Sequence, residues 1–184
     1  MTRIAALGLL ALAACNTPDH IEIDPKQPVL KRRGETVQLH GKVMNRRGQQ
    51  LAGEWPKWKS SVPFTATVDE HGLVTAVASG HALLTATYGD LTADVPVDVS
   101  LVEFVRAEPA SYTLKADGDP VKPAVAALGA NGRVLPDRQV AMTAEDSKIV
   151  HVDSEGKLWP SVKGTTKVHA VCDDHEAVVT VSVE

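Results

Sequence analysis

The sequence is poor in cysteine, in aromatic residues and in long apolar runs, and each shortage closes a class of explanation. Cys15 and Cys172 are the two cysteines, so no disulfide framework is expected to hold the fold. Three Trp, two Tyr and two Phe are outnumbered by Val, Ala and Thr, a balance that favours a core of small side chains on strands over a helical one. The apolar stretch at residues 4–13 is ten residues long, whereas a membrane-spanning helix needs about 20. A net charge of −4 is too small to imply a polyanionic partner, and the lack of a basic face excludes nucleic acid.

Chemical motifs are missing as well. The histidines at 20, 40, 71, 81, 151, 169 and 175 form neither an i,i+4 pair on a helix nor a partner set with Cys-x-x-Cys, so the ligand spacing of a zinc site is absent. His151 and His169 would have to meet across strands to make a pair. There is no Asp-x-Asp-x-Asp-Gly loop for calcium and no Gly-x-Ser-x-Gly elbow for a nucleophilic serine. No metal, cofactor or catalytic residue is therefore expected, and the chain is read as a non-enzyme. The acids Asp69, Glu70, Asp153, Glu155, Asp173 and Asp174 fall at turns, where Asp is favoured for its local hydrogen bonds.

What the sequence does hold is β structure. Residues 65–68 and 73–77 are short Val- and Thr-rich runs, and Asp69-Glu70-His71-Gly72 between them has the chemistry of a hairpin turn. A third strand follows Ser79-Gly80, over residues 81–88. Together, Trp58, Ser60-Ser61, Ala66-Thr67-Val68-Asp69, Gly72, Val74-Thr75-Ala76-Val77 and Gly80 resemble the signature of the bacterial immunoglobulin-like domains of group 2. That resemblance implies a β-sandwich fold and, from the adhesins and other surface proteins in which such domains recur, adhesion or interaction at a cell surface.

At the N-terminus, Arg3 precedes the apolar segment, and Leu12-Ala13-Ala14-Cys15 closes it with small residues, the pattern of a removable leader. Leu-Ala-Ala-Cys resembles the lipobox of bacterial lipoproteins, which implies cleavage before Cys15 and acylation of that residue. Asn16 in place of Asp makes outer-membrane retention the expected destination by the same resemblance. Residues 1–14 are then the signal peptide and residues 15–20 a short tether.

Shifting the sequence by 84 residues superimposes Pro25 on Pro109, Gly48 on Gly132, Val68-Asp69 on Val152-Asp153, Gly72 on Gly156 and Gly80 on Gly164. The same shift sets Val95, Val97 and Val99 on Val179, Val181 and Val183, without a gap. Matches at turn glycines and alternating apolar positions are those a shared backbone would constrain. The expected architecture is thus all-β: two tandem immunoglobulin-like sandwiches at residues 21–100 and 101–184, each with about seven strands in Greek-key order. Within the first, residues 36–43 read as one strand with Val37, Leu39, Gly41 and Val43 on one face. Pro96, inside the last strand, calls for a sheet edge or a bulge.

The remaining candidates are single side chains. Trp58 is expected in the core between the sheets. Trp55, three residues earlier, would face the opposite way in a regular strand, which makes it the candidate exposed aromatic for stacking on a sugar or a partner protein. Trp159 has no clear parity. Cys172 shares parity with Val168 and Ala170 and is expected to be a buried, inert thiol. Lys31-Arg32-Arg33 and Arg46-Arg47 are read as solvated turn charges. The functional expectation is a lipid-anchored envelope protein acting as a spacer, adhesion or interaction module toward a protein or glycan partner. The alternative is a periplasmic carbohydrate or cell-wall binder, or an accessory subunit of an envelope complex.

Overall fold

The computed structural model describes residues 17–184, and the leader and Cys15 lie outside the described residues. The chain divides between Val99 and Ser100 into two compact units. In the first, β1 (Pro18–Asp24) pairs with β4 (His40–Asn45), and β3 (Thr36–Gln38), β7 (Leu73–Ala76) and β6 (Ala66–Val68) form a three-stranded sheet. A four-stranded sheet has the order β2 (Val29–Leu30), β9 (Leu91–Val99), β8 (Gly80–Tyr88), β5 (Lys57–Ser60). All pairs are antiparallel except β2 with β9. Val43, Val74, Leu84, Val95 and Val97 are fully buried; each such side chain stabilises the fold by about 1.5–3 kcal/mol relative to exposure. β1 begins at Pro18, so residues 18–20, expected in the tether, belong to the sheet.

The β6–β7 hairpin forms as its turn residues dictate. Asp69 Oδ1 accepts the amides of His71 and Leu73, and Gly72 adopts a left-handed φ of 83°, a conformation open to glycine without strain. The serines after Trp58 tie the next loop. Ser60 Oγ donates to the Ala66 carbonyl at 2.7 Å, and Ser61 Oγ accepts the Leu83 amide at 2.9 Å.

Residues 36–43 do not make one strand. The in-and-out alternation continues, with Leu39, Gly41 and Val43 buried, but the chain changes sheets at Leu39: β3 joins β7 and β4 joins β1. A break of pairing that leaves the period-2 pattern intact is invisible to that pattern. Pro96 lies in β9 opposite Leu83, while β2 pairs only with Asp98 and Val99. The missing amide therefore falls where β9 has no second strand partner, and the local sheet edge required by proline is met.

In the second unit, β10 (Phe104–Glu108) pairs with β12 (Ala124–Leu128), and β14 (Val150–Val152) pairs with β15 (Leu158–Pro160). A four-stranded sheet has the order β11 (Ser111–Leu114), β17 (His175–Val183), β16 (Gly164–Cys172), β13 (Ala141–Ala144). A shift of 84 residues carries the strand registers of one unit onto the other. Lys57 opposite Thr87 becomes Ala141 opposite Val171, Gly80 opposite Val99 becomes Gly164 opposite Val183, and the parallel pair Val29 and Asp98 becomes Thr113 and Ser182. The counterpart of β3 is the exception, reduced to one bridge between Val121 and Leu158. In the first unit the Leu39 amide donates to Gly72 and the Ala76 amide to Glu35. Pro123 and Pro160 stand at those two positions and cannot donate.

Candidate functional site

The first unit carries a groove of about 510 Å³ beside β4 and β5, with Trp55, Pro56 and Trp58 as its apolar part and His40, Lys42, Gln50, Glu70 and His71 around them. Trp55 is 69% exposed. Pro56 is buried and Trp58 half-buried. Sequence parity separates the two indoles, yet they line the same groove. β5 starts only at Lys57, so the segment carrying Trp55 is not extended strand and alternation does not apply to it.

Trp58 stands on β5 opposite buried Ala86, with its ring against Gly41 of the β1–β4 sheet, but it is half-buried rather than enclosed as expected. Its ring edge lies over two glycines: a Cβ on Gly41 would come within 2.9 Å of Trp58 Cζ2 and 2.6 Å of Pro56, and one on Gly72 within 3.0 Å of Trp58 Nε1. Absence of side chains at Gly41 and Gly72 is what lets the indole approach the backbone this closely, and Trp58 also lines the groove.

A groove of about 770 Å³ occupies the same place in the second unit. There the shift of 84 puts Gln139 for Trp55, Val140 for Pro56, Met142 for Trp58 and Val125 for Gly41. Met142 lies under Gly156 with its sulfur 3.5 Å from where a Cβ would be. A slimmer side chain at 142 leaves room for the larger one at 125, so the two changes offset each other in volume. Arg138, Asp153 and Glu155 also line this groove, and no aromatic residue does.

Trp159 is 44% exposed opposite His151, and its indole N–H donates to Asp153 Oδ2 at 2.9 Å. Asp153 Oδ1 takes the amides of Glu155 and Lys157; the Trp159 donor, first among these bonds, holds the carboxyl below its ordinary range. Cys172 is buried, and burial pushes its thiol up, with a smaller push from Asp173. His151 and His169 are not brought together. His151 lies in the β14–β15 pair, whereas His169 lies in the four-stranded sheet between Glu145, at 2.9 Å, and Glu176. Hydrogen bonds to Glu145 and then Glu176 raise the His169 pKa against the lowering effect of desolvation. Among the described residues no group of three His, Cys, Asp or Glu is arranged to hold a metal ion. Arg46 pairs with Asp19 at 3.2 Å, and the Glu35 carboxylate accepts the amides of Lys31 and Arg32.

No curated protein matches the chain. Solved structures similar to it include domains 1–6 of the surface layer protein SbsC, at 20% identity and a TM-score of 0.43 over 91% of this chain and 28% of that one. Domains 4 and 5 of the same S-layer protein give 19% identity and 0.41 over 90% of this chain and 98% of that one. A C-terminal 282-residue fragment of intimin, solved in complex with the intimin-binding domain of its translocated receptor, gives 18% and 0.41 over 90% and 64%. The chain thus spans 28% of the six-domain S-layer structure. The family model that matches is that of the bacterial Ig-like domain (group 2), over residues 19–99, the stretch that contains the hairpin, the serine-tied loop and the groove. Residues 19–99 of this chain belong to the bacterial Ig-like domains of group 2.

Proposed function

We propose that the protein is a non-enzymatic, lipid-anchored component of the bacterial cell envelope, held to the outer membrane through Cys15, and that it works as a spacer and interaction module. In this reading residues 21–100 and 101–184 are two copies of one domain. The observation that carries it is the direction of the strands. β2, which continues β1, runs parallel to the end of β9, and β11 runs parallel to the end of β17. Each unit therefore takes the chain in at one end and releases it at the other, as a spacer unit would.

Anchoring is supported by Leu12-Ala13-Ala14-Cys15, and β1 starts at Pro18, three residues on. At no more than about 3.5 Å per residue the first unit begins at most roughly 10 Å from the acylated residue. Two or three acyl chains, at about 0.8 kcal/mol per buried methylene, hold a protein to a bilayer where a single chain would not. The partner is a protein or a glycan at the cell surface or in the cell wall. Detergent phase partitioning together with protease treatment of intact cells tests this. The wild type is expected in the detergent phase and cleaved from outside, and Cys15→Ala in the aqueous phase. Unchanged partitioning of the variant removes the anchor, and protection of the wild type until the outer layer is permeabilised moves the module to the periplasm.

A further inference from the structure

We infer that the Trp55–Trp58 groove of the first unit is a binding site for the pyranose rings of a neutral glycan, an assignment that rests on the interaction-module reading above. The internal comparison is its starting point. Both units build a groove at the same place, but an indole stands on its rim in only one of them, where its partner unit has Gln139. The fold evidently does not need an aromatic there. A Trp left 69% exposed keeps in water most of an apolar surface whose burial would be stabilising.

The surroundings define the ligand. Trp55 offers an exposed ring, with the half-buried Trp58 lining the same groove, an apolar surface suited to the C–H face of a sugar ring. The residues around it mix donors and acceptors: Lys42 donates, Glu70 accepts, and Gln50, His40 and His71 can do either. Sugar hydroxyls do both, which matches that mixture. One fixed positive charge and one fixed negative charge line the groove, so neither an anionic nor a cationic ligand is favoured. An apolar peptide side chain would call instead for an enclosed pocket, whereas this surface is open. Its volume lies within the range of small-ligand sites. In the second unit the equivalent groove holds Arg138, Asp153 and Glu155 with no ring to stack on, and it is assigned no glycan.

The test is a calorimetric titration of the full-length mature protein in detergent with an N-acetylglucosamine tetramer and, separately, a glucose tetramer. Binding of at least one is expected, with a change in tryptophan fluorescence; which one binds tells whether the N-acetyl group is part of what is read. Trp55→Ala should weaken binding at least tenfold while the thermal melt stays unchanged, and Trp55→Tyr, which keeps a ring, should retain it within a few-fold. Met142→Ala in the second groove should leave binding as it is. Absence of binding to both sugars, or equal binding by Trp55→Ala, overturns the assignment. Neither result touches partitioning or protease access, so failure here is distinguishable from failure of the envelope reading.

Discussion

His169 meets a carboxylate at each of its ring nitrogens, Glu145 at one and Glu176 at the other. Both bonds are strongest with a protonated ring, so its folded pKa is raised above the unfolded value, Glu145 contributing most. The resulting stability is fully present below about pH 6.5 and is lost as pH rises through the higher folded value. The melting temperature of wild type is therefore expected to exceed that of His169→Gln at about pH 5.5, with the gap closing by about pH 9. A gap constant across that range would mean that the ring acts by packing alone. Cys172 is the opposite case at this scale: its burial was legible from its parity with Val168 and Ala170, because a regular strand separates faces by alternation.

At the scale of the element, the contrast between Trp58 with Gly41 and Met142 with Val125 is a volume exchange between neighbours. Gly41→Val alone drives a branched side chain into Pro56 and the Trp58 ring and should cost about 1–3 kcal/mol. Trp58→Met alone leaves the ring's space empty and should cost about 2–4 kcal/mol. The double variant is expected to lose less than the sum by at least about 1 kcal/mol, measured by urea unfolding. Strict additivity would show that the two sites are independent. Elements of this kind were partly legible in the sequence. The β6–β7 hairpin could be read because Asp69 and Gly72 act locally. The sheet change at Leu39 could not, since inward and outward positions continue unbroken through it. Nor could the meeting of Trp55 and Trp58, because a Pro56-bearing segment outside any strand obeys no parity. The prolines at 123 and 160 were in plain view, but their effect depends on which amides the first unit uses at Leu39 and Ala76.

For the molecule as a whole, the shared register implies two separate cores. In the second unit Val102, Val105, Ala127 and Leu135 pack with Cys172, and Val150, Leu158, Val168, Val179 and Val181 form a neighbouring cluster, with Met142 against both. Residues 100–184 expressed alone should therefore unfold in one cooperative transition and give a β-type far-ultraviolet spectrum. A non-cooperative melt would show that the second core depends on the first. The parallel strand pairs carry a further, mechanical consequence. Tension between the two ends of either unit loads its parallel pair in shear, along the strands. β2 and β9 meet at two residue pairs, whereas β11 and β17 meet at four. Under such tension the β2–β9 pair, with fewer residue pairs, is expected to part before the β11–β17 pair.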